Sequence, residues 1–203
     1  MTNFDIALTH LQKNDPVLKK IIKKIGYYKP KYFEPNLCSL YKIIISQGLS
    51  KEASEKIIQR FFSKTGKDCN HYQLSMMKVQ TGRKIGLSIP KIKAIKKIAK
   101  QIHNGSLDFS SISKLSDDEI IKLLTMIEGI GPWTAHIFLI FCLRRLDILP
   151  VGDIWFAKSL EKEYNFDSTP TNKVISEIAS KWKPYRTIGT WYLWKSYYTE
   201  SRI

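Results

Sequence analysis

Cysteine, acidic side chains and long apolar runs are all scarce in this chain of 203 residues. The three cysteines, at 38, 69 and 142, form no ladder and no paired spacing, and they are too few for the four thiolates of an iron–sulfur cluster. No apolar run approaches the ~20 residues that a membrane helix needs. The start, Met1-Thr2-Asn3-Phe4-Asp5, lacks the basic-then-apolar order of a secretory signal. The expected address is intracellular, in the cytoplasm or nucleoid, or in a nucleus if the source is eukaryotic. Hydrophobic residues make up 43% of the chain and aromatics 12%, enough for a packed core, which excludes a largely disordered protein.

The shortage of acid is the strongest compositional fact. Eighteen Asp and Glu stand against thirty-three Lys and Arg, a formal net charge of +15. Such a balance points to a polyanion, either nucleic acid or an anionic membrane surface. Only six of the basic residues are Arg, so a Lys- and Ile-heavy codon usage accounts for the same number. Composition alone leaves both readings open.

Strand-like alternation is scarce as well, and apolar residues recur at helical spacing nearly everywhere. From Pro90 to Ile102, Ile92, Ile95, Ile98, Ala99 and Ile102 make one stripe, with Lys91, Lys93, Lys96, Lys97 and Lys100 mostly off it. Pro90 suits a first turn behind Ser88 as cap. Residues 69–107 hold eight Lys or Arg and no acid, a face that solvent or a membrane surface would also accept. Asp15-Pro16 opens a helix running towards Gly26. Ser50 precedes another, Lys51 to Phe62, that stops before Gly66. Ser116-Asp117-Asp118-Glu119 is a capping box ahead of Ile120, Ile121, Leu123 and Leu124. Thr171 or Asn172 starts a helix that ends near Pro184. With no internal repeat and no linker-length loop, the expected fold is all-α and compact.

The informative stretch is Leu123-Leu124-Thr125-Met126-Ile127-Glu128-Gly129-Ile130-Gly131-Pro132-Trp133-Thr134-Ala135. One amphipathic helix ends at Glu128 and another begins near Pro132, with only Gly-Ile-Gly between them. Gly129 can take positive φ, Gly131 lets a ligand approach the backbone, and Pro132 starts a helix without wasting a donor. Free amides at a helix N-terminus make a phosphate site. Any tight helix–turn–helix can use Gly-x-Gly, so the residues that follow must separate the two readings. The next helix, Trp133 to Leu143, is almost wholly apolar and ends in Arg144-Arg145. After it, Leu149-Pro150-Val151-Gly152-Asp153 leads into a helix from Ile154 to Leu160. Asp153 sits where an N-cap belongs, a role worth about 1 kcal/mol. The positive end of the helix also favours the carboxylate anion. Beside a phosphate backbone that anion is a misfit unless it faces something cationic, such as a developing sugar oxocarbenium.

At these residues the chain resembles the helix-hairpin-helix DNA glycosylase superfamily, and within it the 3-methyladenine DNA glycosylase II branch. The likeness extends to Trp182-Lys183-Pro184-Tyr185-Arg186 and Tyr192-Leu193-Trp194, and upstream to Ile45-Ser46-Gln47-Gly48-Leu49-Ser50 and Gly86-Leu87-Ser88 with Lys91. It covers roughly residues 15–200. The resemblance implies two helical lobes with a cleft for a flipped nucleotide: a six-helix barrel over 36–147 carrying the hairpin (120–143), and a discontinuous lobe of 1–35 with 148–203. It leaves no room for the N-terminal β-rich domain of the bacterial archetype. It also implies a monomer acting on double-stranded DNA that contains damaged bases, with no membrane partner and no required cofactor.

By the same resemblance, Asp153 falls on the catalytic carboxylate, twenty positions after Trp133. Trp133 stands where bifunctional branches carry a Schiff-base lysine, so β-lyase activity is not expected. Trp133 and Trp194 match aromatics of the base pocket, although core packing is the usual role of such residues. Gly129, Gly131 and Thr134 match amide donors to phosphate, and Gln47 lies in the loop that fills the gap left by the flipped base. The carbonyls of Thr125, Ile127 and Ile130 match positions that hold a structural K⁺ or Na⁺. Two positions depart from the pattern: Gly48 has no side chain to insert, and Ile137 replaces a pocket Tyr. The expected activity is hydrolysis of the N-glycosidic bond of alkylated bases in base excision repair. The rivals are a glycosylase for uracil, hypoxanthine or a mismatched base, and a non-catalytic hairpin module.

Overall fold

The computed structural model describes residues 2–66 and 68–200, without the side chains of 199 and 200. Among the described residues the regular structure is helical. In chain order the helices are α1 (Asn3–Asn14), α2 (Pro16–Ile25), α3 (Leu37–Ser46), α4 (Lys51–Thr65), α5 (His71–Ser75), α6 (Val79–Ile85), α7 (Ile89–His103), α8 (Asp117–Thr125), α9 (Pro132–Phe141), α10 (Ile154–Glu163), α11 (Asn172–Ser180) and α12 (Arg186–Glu200), with a 3₁₀ turn at Ile112–Lys114. No helix among the described residues is long and apolar enough to cross a membrane. The chain forms two compact units, one of Met1–Tyr32 with Arg144–Ile203 and the other of Phe33–Leu143.

Helix starts follow capping chemistry. Asp15, Ser50, Thr171 and Asp153 each accept an amide of the following first turn, and Ser116 with Glu119 forms a reciprocal capping box. Other ends differ from the sequence expectation. Ser88 occupies the N-cap of α7 but makes no side-chain cap bond. Helix α4 runs on to Thr65, whose hydroxyl turns back to the Phe61 carbonyl. Helix α8 stops at Thr125, three residues before Glu128: the Met126 amide still reaches the Lys122 carbonyl four residues back, but Ile127 closes a tighter turn onto Leu124.

The discontinuous unit is organised around a buried carboxylate. Asp15 Oδ1 accepts the amides of Val17 (2.9 Å) and Leu18 (3.1 Å), and Oδ2 accepts Tyr164 Oη (2.5 Å) and Trp182 Nε1 (2.8 Å) with Lys181 Nζ at 3.2 Å. Leu11, Leu18, Phe156, Leu160, Trp182, Ile188 and Tyr192 fill the core around it. In the other unit Leu40, Tyr41, Ile44 and Ile45 of α3 share a core with Phe61, Ile92, Ile95, Ile98, Leu124, Phe138 and Leu139. Cys38 and Cys69, which sequence spacing does not pair, form a disulfide there with Cα atoms 6.0 Å apart. Their proximity is a product of the fold, which brings the start of α3 to the turn before α5.

Candidate functional site

The segment leading to Asp153 is held from α12. Arg186 grips Asp147 with Nε to Oδ1 at 2.7 Å and a second guanidinium nitrogen to Oδ2 at 2.9 Å, a bidentate fork. The Thr187 hydroxyl donates to the Arg145 carbonyl (2.8 Å) and accepts the Ile148 amide (2.9 Å). From that anchored strand the chain turns at Pro150-Val151-Gly152-Asp153, closed by the Asp153 amide on the Pro150 carbonyl at 3.0 Å. Gly152 has φ +88°, as the third position of such a turn requires. The turn delivers Asp153 to the N-cap of α10, where the side chain is 5% exposed. Its Oδ1 accepts the Phe156 amide at 2.6 Å and the Trp194 indole N–H at 3.2 Å. The structure therefore brings Asp153 and Trp194 together. Trp194 is buried, edge-on to Phe156 with ring centroids 6.4 Å apart.

The hairpin belongs to the other unit. Gly129 ends the turn after α8 with φ +90°, and a Cβ there would lie 3.1 Å from the Pro90 carbonyl oxygen of α7. Among the described residues the amides of Gly129 and Gly131 meet no acceptor, whereas the Thr134 amide donates to the Gly131 carbonyl at 3.1 Å. The Thr134 hydroxyl is occupied too: it accepts Gln47 Nε2 at 2.5 Å, and the same nitrogen lies 3.4 Å from the Gly129 carbonyl. Gln47, Thr134 and Gly129 thus form one cluster, and Gln47 spends its side chain on the hairpin. Lys91 secures the other side of that turn, with Nζ donating to the carbonyls of Ile45 (2.8 Å) and Gln47 (2.7 Å) at the C-terminal end of α3. Burial lowers the Lys91 pKa from its ordinary value. Exposed Leu49, next to Gly48, is the large apolar side chain of that turn.

Helix α9 is almost wholly apolar, and its half-buried face carries Trp133, His136, Ile137 and Phe141, at i, i+3, i+4 and i+8. Among the described residues His136 Nδ1 is buried without a partner, and burial holds the ring below the usual histidine range. Sequence reasoning passed over His136, which the 3.6-residue period from Trp133 could have found. The Ile127 carbonyl accepts the Ile130 amide at 2.9 Å and keeps a second lone pair. Among the described residues no cluster of three His, Cys, Asp or Glu could hold a metal ion.

Two helices joined by a Gly-Ile-Gly turn with open amides define a helix-hairpin-helix protein, and a buried carboxylate caps a later helix. The profile of the HhH-GPD superfamily base excision DNA repair protein matches residues 41–184, and the chain belongs to this family. It is 30% identical over 203 residues to DNA-3-methyladenine glycosylase 1 of Schizosaccharomyces pombe, covering 97% of this chain and 89% of that protein. The solved structure of the S. pombe 3-methyladenine DNA glycosylase in complex with abasic DNA superposes with TM-score 0.86, covering 94% of this chain and 95% of the other at 30% identity. A DNA-3-methyladenine glycosidase from Bacillus halodurans gives 0.79 at 30% identity, covering 97% and 91%.

Proposed function

We propose that this chain is a monofunctional DNA glycosylase that removes alkylated bases of the 3-methyladenine and 7-methylguanine type in base excision repair, acting as a monomer on double-stranded DNA. The observation that carries the reading is Asp153, a buried carboxylate built into the N-terminus of α10. It stands in a chain whose relatives from fission yeast and Bacillus are named for 3-methyladenine excision.

The damaged nucleotide leaves the stack at a cost of a few kcal/mol. The Gly129 and Gly131 amides take phosphate oxygens, and a monovalent cation on the carbonyls of Thr125, Ile127 and Ile130 would add positive charge beside that phosphate. Methylation has already made the purine cationic, so it needs little acid catalysis. As the C1′–N bond breaks, its electron pair goes to the base, which leaves neutral, and the sugar takes the positive charge. The Asp153 carboxylate faces that charge and stabilises it by about 3–4 kcal/mol. Water adds to C1′ and releases a proton, giving an intact abasic site. Trp133 offers no amine, so no imine forms at its position. Gln47 holds the hairpin rather than entering the duplex.

The test is base release from duplexes carrying 3-methyladenine, 7-methylguanine, hypoxanthine or uracil, with and without borohydride. Methylpurine excision should be fastest, with strands intact until alkali is added. Faster uracil release, or a trapped protein–DNA adduct, contradicts the proposal.

A further inference from the structure

The lysines of α7 are a basic feature that the catalytic reading leaves unused. Ile92, Ala94, Ile95, Ile98 and Ala99 are buried, whereas Lys93, Lys97 and Lys100 are exposed at i, i+4 and i+7, on one row of the helix. That row starts at the hairpin. Pro90 precedes Lys93 by three residues on the same row, and its carbonyl oxygen lies 3.1 Å from where a Cβ of Gly129 would stand, with Ala94 Cβ at 3.4 Å. Lys93 Nζ reaches Glu128, the residue before Gly129, at 3.8 Å, a loose pair whose side chains are mostly open to water. Further along, among the described residues, no acid lies within ion-pair reach of Lys97 or Lys100. The sequence from 69 to 107 holds no acid at all. From Lys93 to Lys100 the helix rises about 10 Å, a length over which one strand of a duplex presents about two or three phosphates.

We infer that Lys93, Lys97 and Lys100 carry one arm of the duplex away from the hairpin, so that the footprint of the protein is asymmetric about the lesion. The inference rests on the glycosylase reading above. The row leaves the hairpin in one direction only, along α7, and therefore follows one arm. The occupant is double-stranded DNA rather than a membrane surface, because an interfacial helix must insert its apolar face and α7 spends that face on the core. Lysines one turn apart supply point charges on flexible stems and read no base edges, which suits a backbone followed whatever its sequence.

The experiment titrates duplexes containing a tetrahydrofuran abasic site, which are not turned over, at about 50 and 200 mM salt. Lys97→Gln/Lys100→Gln removes two exposed charges and leaves the core intact. It should lower the slope of log K against log salt by about two, so that the advantage of wild type shrinks about tenfold across that range. Lys19→Gln/Lys23→Gln, an equal loss of exposed charge on α2, should leave the slope unchanged. Trimming the duplex close to the lesion should weaken wild-type binding on one flank more than on the other, and the α7 double variant should lose that asymmetry. An unchanged slope in the α7 variant, an equal fall in the α2 variant, or equal effects of the two trims overturn the inference. So does loss of binding to phosphatidylserine vesicles in the α7 variant at constant DNA affinity, which would make this face a membrane contact. Base release from a 7-methylguanine duplex is read separately: wild type that binds through this row yet releases no base overturns the glycosylase reading and not the row.

Discussion

The indole N–H of Trp194 donates to Asp153 Oδ1 at 3.2 Å, on the same oxygen that takes the Phe156 amide at 2.6 Å. One contact is the ordinary N-cap bond of α10. The other comes from α12, forty-one residues further along, and fixes the carboxylate in rotation as well as in place. Asp153→Asn keeps an oxygen for the cap but removes the charge, so single-turnover excision should fall by about 10²–10³ with little change in melting temperature. Trp194→Phe keeps the ring and loses one donor. It should slow excision by about tenfold, roughly 1.4 kcal/mol, with DNA affinity unchanged. Equal rates for Trp194→Phe and wild type would show that the indole N–H does not position the carboxylate.

Asp15 should govern acid stability. Burial pushes its carboxyl up, but hydrogen bonds from Tyr164, Trp182 and the Leu18 amide, with the charge of Lys181, outweigh it and leave the pKa below the ordinary Asp value. A carboxylate depressed in the folded state contributes stability that is present above the unfolded pKa of about 3.9 and lost as pH falls through the lower folded value. Denaturant unfolding between pH 7 and 2.5 should show wild type losing stability at the acid end. Asp15→Asn should start on the order of 3 kcal/mol less stable at pH 7, having lost charge-assisted hydrogen bonds, and should show a flatter acid limb. Parallel pH curves would remove Asp15 from this role.

Much of the fold can be read from the sequence because helix ends are local chemistry. The caps at Asp15, Ser50, Ser116 and Thr171 lie beside the amides they accept, and the all-helical class follows from apolar period. The hairpin glycines announce themselves in the same way. What sequence reasoning missed is tertiary. The partners of Asp15 lie 149 and 167 residues away, and the acceptor of Gln47 lies 87 residues away. No spacing rule encodes such distances.

Tyr41 is fully buried on α3 with its ring against Phe61, and among the described residues its hydroxyl has no hydrogen-bond partner. Burial alone drives its pKa strongly upward. A desolvated, unsatisfied hydroxyl is a cost to the fold, so Tyr41→Phe should be neutral to stabilising by up to about 1 kcal/mol. Tyr41→Ala should lose about 3–5 kcal/mol through the cavity it leaves. Equilibrium urea unfolding of the pair measures both signs. A Phe variant destabilised by more than 1 kcal/mol would mean that the hydroxyl contributes to folding.

The two hairpin glycines should separate structure from ligand approach. Gly129 has φ +90° and faces the Pro90 carbonyl at 3.1 Å from the position of a Cβ. Gly129→Ala therefore meets both a disfavoured backbone and a backbone atom that cannot swing aside, and should destabilise by about 1–2 kcal/mol. Gly131 has φ −94°, and a Cβ there meets nothing within 4 Å. Gly131→Ala should melt like wild type. If a phosphate comes up to the Gly131 amide, however, the added methyl stands in its way, and affinity for duplex DNA should fall about tenfold. Thermal melting and DNA titration of both variants at one salt concentration give the comparison. Wild-type affinity in Gly131→Ala would show that the phosphate does not approach this amide. A melting temperature unchanged in Gly129→Ala would show that the turn can rearrange around the Pro90 carbonyl.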